Sequence, residues 1–433
     1  MTRQIVSIRA IILISSIISL NAAAQSLTDT IRTTLRTNPQ IQASKFELEA
    51  AEHSERRARA DFLPSIDLVF ASGRETSNNS TTRAAGVDDR TLSREEKSVR
   101  LTQLLFDGGA TGNLVDQRQA QVDAAMARLV NSQERVGLRA VEVYLEVLRR
   151  DAVVTLAEEN LRHHNNTLAK IQERFDSGVG TKVDVVQTQG RQAQSRSNLI
   201  LSERDAENGR AEFFRVVGEH PGQLDDPQSA GRLPETLDEA LQIAYANNPR
   251  LQSVRSELEA AEASHRQAKG AFLPKFDLVV GATRNRNIDG ILDDNDDESA
   301  VVRMTYNLYR GGADRARLNE VEAREFTARE RARDVRRAVR EDVTLIWNEL
   351  QDITARLQYL ELHVNSTEEV LSVYNEQLSL GKRTLLDVLD IQNELLRAKV
   401  AYISGQYTEK LARYRVLASM GQLLDAVGVS PEQ

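Results

Sequence analysis

The 433-residue sequence predicts a mainly α-helical fold with a small β part, built from two copies of one structural unit. The composition is 40% hydrophobic, 5% aromatic and 28% charged with only 8 prolines, a balance typical of long solvated helices. Residues 38–69 and 248–279 align at a shift of 210, and 18 of the 32 aligned positions are identical. Between residues 339 and 378, apolar side chains recur at alternating steps of four and three, which predicts a coiled-coil seam.

The first residues predict export. Arg3 and Arg9 precede an apolar run from Ala10 to Leu20, and small residues at 22–24 come directly before Gln25. A helix of this length reaches only about half of the ~20 residues that span a bilayer. We therefore expect residues 1–24 to be a cleaved signal peptide rather than a permanent anchor.

The internal similarity divides the mature chain into repeats. The match at a shift of 210 resumes later at a shift of 203, where Phe106–Ala110 aligns with Tyr309–Ala313. A proline- and glycine-containing stretch separates the halves and reads as a linker. The predicted domains are a first repeat over 25–217, a linker over 218–234, a second repeat over 235–425 and a short C-terminal tail over 426–433.

Each repeat is predicted to begin with a helix and to continue with two strands. The helices cover 26–60 and 236–270, and each is closed by Phe-Leu-Pro, whose proline disfavours helix at the residue before it. Alternating apolar residues predict the strands. These strands begin at Ile66 and Phe276 and recur over 97–106 and 299–309. The polar segments between them, 72–96 and 288–298, are expected to be solvent-exposed loops.

Long helical hairpins follow the strands. Residues 313–377, taken as one helix at ~1.5 Å per residue, would extend roughly 100 Å, so another helix must run alongside. Glycines at 178–180 and at Gly381 allow the next helix to fold back. Each half is thus expected to contribute a long antiparallel coiled-coil hairpin.

The four strands cannot complete a membrane structure alone. Each has about 10 residues, close to the 9 to 11 that a tilted strand needs to cross a bilayer. Single-chain barrels have at least about 8 strands, and an open sheet would leave backbone groups unpaired in hydrocarbon. The strands are therefore expected to join an oligomeric transmembrane β-barrel of two or more copies. A soluble sheet capping a helical bundle is the alternative.

The sequence gives little support for nucleic-acid binding, metal binding or enzymatic activity. The formal charge of −8 without a basic stripe disfavours nucleic acid, and the absence of cysteine excludes disulfides, thiolate metal sites and a cysteine nucleophile. His163 and His164 are expected to be packed or water-facing rather than metal ligands. The acidic segment 289–298 is expected to be a solvated loop, with weak calcium binding as the alternative. We expect no cofactor and no enzymatic activity.

The order of these elements resembles a known family. A signal peptide, an Asn-Pro helix, Leu-Pro before a strand, Phe-x-Gly-Gly, a long helix and a Gly-x-x-Thr turn, with all but the signal peptide repeated, are similar to the TolC-like outer-membrane channels. Residues 380–390 resemble most the branch that serves type I secretion. The resemblance implies a homotrimer in outer-membrane lipid, in which the hairpins form a helical barrel that is a tunnel across the periplasm. It also implies a periplasmic adaptor and an inner-membrane transporter of the ABC type.

The hairpin tips carry the candidate site residues. Thr181 with Asp184, and Thr384 with Asp387, have the spacing of helix-capping boxes. Capping does not explain Asp390, which lies on the same helix face as Asp387. By resemblance, Asp387 and Asp390 match the acidic ring at the family's periplasmic constriction, and a solvated helix face is the alternative.

Two further roles at the tips come from the resemblance. Arg383 and Asp184 align with a latch that holds the family's entrance closed; Leu378 and Val183 replace polar members of that network, so the closed state is expected to be weaker. The adaptor is expected to bind the two turns, and glycines that only end a helix are the alternative. Their residues are Gly178, Val179, Gly180, Thr181, Gly381, Lys382, Arg383 and Thr384.

The sequence therefore predicts a passive outer-membrane conduit that exports proteins by type I secretion. Export of small molecules in a multidrug pump would use the same architecture and is the first alternative. An exported coiled-coil scaffold is the second. The cargo, the gating trigger and the identity of the adaptor and transporter are left open.

Overall fold

A computed structural model describes residues 25–227 and 230–429. The predicted signal peptide lies outside the described residues. In this part of the chain, the first repeat contains five helices and two strands: α1 Leu27–Thr37, α2 Pro39–Ala60, β1 Ser65–Ser77, α3 Ser80–Ala84, β2 Arg90–Phe106, α4 Ala110–Asp176 and α5 Lys182–Val217. The elements of the second repeat are α6 Leu237–Asn247, α7 Pro249–Lys269, a short 3-10 turn, β3 Lys275–Arg286, β4 Asp294–Thr305, α8 Ala313–Ser379, α9 Leu385–Met420 and α10 Leu423–Ala426.

The opening helix of each repeat is divided in two, whereas the sequence predicted one helix. The break falls at Asn38 and Asn248, each of which has extended backbone and caps the helix that follows. The side chain of Asn38 accepts a hydrogen bond from the backbone N–H of Gln40 at 2.9 Å. The next residue is proline, which lacks an N–H and suits the first helical position.

The strands extend further into the polar segments than expected, so much of 72–96 and 288–298 is paired sheet rather than loop. Ion pairs connect adjacent strands in these polar segments. Arg94 of β2 lies 2.7 Å from Glu75 of β1, and Arg286 of β3 lies 2.7 Å from Asp294 of β4. Opposite charges on adjacent strands stabilise such positions. At its other end β4 stops at Thr305, because its partner strand β3 begins at Lys275.

The strands form one antiparallel sheet in the order β1-β2-β3-β4, which leaves β1 and β4 as its edges. Residues directly opposite each other share a face. One face is apolar and is formed by Ile66, Leu68, Phe70, Val99, Leu101, Leu278, Val280, Val302 and Met304. The other face is more polar, and it carries Asp67, Arg100, Thr102, Asp277 and Arg303 together with Val69, Val279 and Val301. The sheet therefore presents an apolar and a polar surface.

The helical hairpins have the predicted length. α4 and α8 contain 67 residues each, and the returning helices α5 and α9 contain 36 each. The predicted seam of α8 is buried at Val343, Leu350, Ile353 and Val364. Within the described ranges, no helix is both apolar enough and long enough to span a membrane.

The main hydrophobic core lies where the short helices α1 and α6 pack against the four long helices α4, α5, α8 and α9, and α10 closes it. Leu423 and Leu424 are fully buried. Their backbone N–H groups donate to the two carboxylate oxygens of Glu134 on α4, at 3.1 and 3.2 Å. Glu134 is itself buried, and this burial raises its pKa from 4.5 to about 7 despite the two hydrogen bonds. The C-terminal segment is thus fastened by a carboxyl group that titrates near neutral pH.

This pKa predicts how the stability depends on pH. The pKa of Glu134 is higher in the folded state than in the unfolded state, so protonation of this carboxyl group stabilises the fold. This contribution to the free energy of unfolding is complete below about pH 4.5 and is lost as the pH rises through 7. The shift corresponds to roughly 3 kcal/mol. Glu134→Gln cannot ionise, so relative to the wild type it should gain stability between about pH 5 and about pH 8. Denaturant unfolding at the two pH values measures this change. A difference between the two proteins that does not vary with pH would contradict the prediction.

Candidate gating site at the hairpin tips

Each hairpin turns on a glycine with left-handed backbone. Gly178 has φ of +78° and Gly381 has φ of +70°, a region that side-chain-bearing residues rarely adopt. The turns close in the same way: Val179 donates its backbone N–H to the Arg174 carbonyl at 3.0 Å, and Lys382 donates to the Gln377 carbonyl at 2.8 Å. These bonds satisfy carbonyls at the ends of α4 and α8.

Both predicted capping boxes are present. The Thr181 hydroxyl oxygen accepts from the Asp184 N–H at 3.2 Å, and the Asp184 carboxylate accepts from the Thr181 N–H at 3.3 Å. Thr384 and Asp387 make the same pair of bonds at 3.3 and 3.2 Å. The hydrogen bond from Thr384 and the nearby Arg383 lower the pKa of Asp387, so this carboxylate is charged at neutral pH.

The two tips of one chain pack against each other. Ile171 on α4, Val185 on α5, and Leu385 and Leu389 on α9 form a buried apolar cluster. Beside it, the Arg191 guanidinium of α5 donates to Asp390 of α9 at 2.6 Å. The apolar cluster and this ion pair therefore join the first hairpin to the second near the entrance.

This contact changes the electrostatics of the predicted acidic ring. Asp387 and Asp390 do lie one helical turn apart on α9, as expected. Asp390, however, is half-exposed and paired with Arg191, while Asp387 is held by its capping hydrogen bonds. The two carboxylates of each chain thus lie beside the guanidinium groups of Arg191 and Arg383, so the negative charge is smaller than the two aspartates alone would give.

Arg383 contacts its own hairpin within the chain. Its Nε donates to the Gln377 side chain at 3.2 Å, and its guanidinium lies 4.1 Å from the centre of the Tyr374 ring. Its Nη1 is 4.0 Å from Asp387. Asp184 is engaged with Thr181 instead. One chain does not bring Arg383 and Asp184 together, so their role as a latch stays a prediction about the assembled entrance.

The histidines are as expected for packed or exposed side chains. His164 is fully buried on the seam of α4, and neither ring nitrogen has a hydrogen-bond partner in the structure. Burial, together with the charge of Arg191, lowers its pKa, so it is neutral at physiological pH. No group of acidic or histidine side chains suited to a metal occurs in the described part of the chain, the acidic segment 289–298 included.

Arg191 is the site residue that the sequence analysis missed. A signal for it existed, because the first-repeat counterpart of Asp390 is Gln187, one helical turn before Arg191. Comparing the two repeats position by position would have marked this place as one where the charge differs.

The comparisons with known proteins identify the family. The sequence profile described as outer membrane efflux protein matches residues 30–219 and 240–422. The chain belongs to this family. It is 25% identical to the outer membrane efflux protein BepC of Brucella suis, over 98% of this chain and 92% of BepC. It is 24% identical to the alkaline protease secretion protein AprF of Pseudomonas aeruginosa, over 89% of this chain and 83% of AprF.

A solved structure has the same fold. A membrane protein from Pseudomonas aeruginosa matches with a TM-score of 0.80 at 19% identity, covering 91% of this chain and 93% of its own. As a member of the outer membrane efflux protein family, the chain is a channel protein of the outer membrane and not an enzyme. The predicted fold class, long helical hairpins with a small four-stranded sheet, is confirmed.

The latch leads to a test by conductance. If Arg383 and Asp184 hold the entrance closed, Arg383→Ala and Asp184→Ala should each raise the single-channel conductance in planar lipid bilayers. Lys382→Ala is the matched control, since it removes the neighbouring cation of the same turn and should leave the conductance unchanged. Unchanged conductance in both of the first two variants would contradict the latch.

Proposed function

We propose that copies of this chain assemble into a passive channel whose tips form the gated periplasmic entrance. The observation that carries the proposal is the two-faced, open-edged sheet. Its apolar face suits lipid and its polar face suits a water-filled lumen. Its edges need partners, because each unpaired backbone group in hydrocarbon costs several kcal/mol. Channels of the family are trimeric and work with adaptors and inner-membrane transporters, so we infer a homotrimer.

We infer that the cargo is protein and that the channel serves a type I secretion system with an ABC transporter. Residues 380–390 support this, as does the similarity to AprF, whose name describes secretion of alkaline protease. Small-molecule efflux is the second candidate, favoured by the similarity to BepC, which is named an efflux protein. The scaffold alternative is not retained, because the family is one of channels.

A complementation experiment separates the two candidates. The chain is expressed in a double-membraned bacterium that lacks its own channels of this family. That host carries either a type I transporter, adaptor and reporter protease, or a multidrug pump and its adaptor. We expect the reporter protease in the medium without restored drug resistance. Restored resistance without secretion would favour efflux instead.

The turns of the two tips are proposed to receive the adaptor. Val179 is largely exposed, and at Gly178 and Gly381 the position that a Cβ atom would take is open space. Exposed backbone next to glycine lets the tip of another helix approach closely. This surface comprises Gly178, Val179, Gly180, Thr181, Gly381, Lys382, Arg383 and Thr384.

The charges at the constriction predict the ion selectivity. Asp390→Asn should reduce the preference of the channel for cations, since it removes one carboxylate per chain. Arg191→Gln should increase the preference, because Asp390 then loses its compensating charge. Reversal potentials across a salt gradient measure both changes. Shifts in the same direction, or no shift in either variant, would exclude Asp390 from the ion pathway.

A further inference from the structure

Two loops lie at the end of the sheet that is remote from the helical hairpins. The first loop, residues 78–89, joins β1 to β2 and contains α3, and the second loop, residues 287–293, joins β3 to β4. The long helices adjoin the opposite strand ends, since α2 comes before β1 and α4 follows β2. If the hairpin tips form the periplasmic entrance, the two loops lie at the outer opening of the channel.

The second loop leaves its own strands and reaches across the sheet. The side chain of Asn287 donates to the Ser93 carbonyl of β2 at 2.9 Å, and the backbone N–H of Asp289 donates to the Glu75 carboxylate of β1 at 3.0 Å. In the sheet, β2 lies between β1 and β3. A loop that starts on β3 therefore crosses β2 to reach Glu75.

The second loop crosses on the polar face of the sheet. Successive side chains of a strand point to opposite faces, so Glu75 and Ser77 share the face of Asp67. Gly290 packs on this face, because a Cβ atom added to it would lie 3.1 Å from Cβ of Ser77. Gly290 and Ser77 are both buried. The second loop thus covers the outer end of the polar face.

The first loop holds the second loop in this position. The Asn79 side chain donates to the Asp289 carbonyl at 2.7 Å. Thr82 of α3 is buried, and its methyl carbon would lie only 2.3 Å from a Cβ atom added to Gly290. Gly290 also has φ of +78°, a region that side-chain-bearing residues rarely adopt. Glycine is therefore required where the two loops meet.

The backbone of the loops is held in place by these contacts. Within the described ranges, every non-glycine residue with left-handed backbone lies in one of the two loops. These residues are Asp89, Asn287, Asp289 and Asp293, with φ of +54°, +55°, +54° and +122°. Such backbone persists only where the surrounding structure imposes it. We therefore expect the second loop to change conformation when its hydrogen bonds are removed.

Glu75 connects the second loop to the wall of the sheet. Its carboxylate accepts from the Ser77 hydroxyl and from the Arg94 guanidinium, each at 2.7 Å, and from the Asp289 N–H. The first two bonds stay within β1 and β2, whereas the third holds the loop. One carboxylate thus joins two strands and the second loop.

We propose that the second loop is a lid that folds inward over the polar face and narrows the outer opening of the channel, with Glu75 as the positioning residue that fastens it. The proposal rests on the proposed function, because it takes the polar face as the lining of the lumen. It adds a second constriction, at the end of the channel opposite the hairpin tips.

Thiol labelling tests whether Glu75 fastens the lid. The natural chain has no cysteine, and Ser77 is buried beneath the second loop, so Ser77→Cys reports on lid opening. A membrane-impermeant maleimide is added to intact cells that produce the full chain. We expect Ser77→Cys alone to react slowly. Adding Glu75→Ala should raise the rate about tenfold, the effect of losing one hydrogen bond to a charged group.

Glu96→Ala is the matched control for labelling. Glu96 lies on the same face and also contacts Arg94, but none of its ion pairs or hydrogen bonds in the described part of the chain reaches the second loop. Adding Glu96→Ala to Ser77→Cys should leave the labelling slow. Equal rates with Glu75→Ala and Glu96→Ala, or fast labelling of Ser77→Cys alone, would overturn the fastening. Labelling of none of these variants would overturn the position of the loops at the outer surface.

Conductance tests whether the lid narrows the channel. In planar lipid bilayers Glu75→Ala should have a higher single-channel conductance than Glu96→Ala, because both remove one carboxylate from the same wall and only the first releases the loop. Gly290→Ala should also raise the conductance, since its Cβ atom would clash with Thr82. Gly281→Ala is the control for this variant, because its Cβ atom would make only an ordinary contact, 3.6 Å from the Val99 carbonyl oxygen.

The two measurements separate the possible failures. Faster labelling with an unchanged conductance in Glu75→Ala and Gly290→Ala would overturn the constriction but leave the channel standing. No change in either measurement would overturn the lid altogether. If the unaltered protein does not conduct at all, the proposed function fails, and labelling still decides whether Glu75 fastens the loop.

Discussion

The structure depends on one constraint, which is that backbone N–H and C=O groups inside a bilayer must be hydrogen-bonded. Three of the strand pairings needed to meet it lie within the chain, and the outer edges of β1 and β4 lie open. A water-soluble sheet could leave such edges to solvent, but this sheet has an apolar face and belongs to an outer-membrane protein. The chain is therefore proposed to be one segment of a closed structure that several copies complete.

The helices of the chain, like its strands, have sides that are covered by neighbours and sides that are not. α4 is covered on both sides, by α2 and by α7, whereas α8 is covered by α7 and its other side is uncovered. The exposure of the side chains follows from this position, since Ala120, Ala124 and Ala127 of α4 are buried, whereas the equivalent residues of α8, Ala323, Thr327 and Glu330, are exposed. At the tips, the contact between hairpins within one chain has its own ion pair of Arg191 and Asp390. Its counterpart positions, Gln187 and Glu394, cannot form such a pair.

Much of the fold could be predicted from the sequence because its signals are local and repeated. The glycine turns, both capping boxes and the seam of α8 follow from spacing alone. The strand lengths could not be predicted, because cross-strand pairs such as Arg94 with Glu75 stabilise polar segments only once the register is set. The pairing of Asp390 with Arg191 was not predicted either, since it joins two helices that are 199 residues apart in the chain. Long-range contacts of this kind have no periodic signature.

The most direct test of the central claim is the mass of the detergent-extracted protein together with its requirement for detergent. We expect native mass spectrometry to find three chains in each particle and the protein to precipitate when detergent is removed. A single chain that stays in solution without detergent would contradict the claim that neighbouring copies close the sheet.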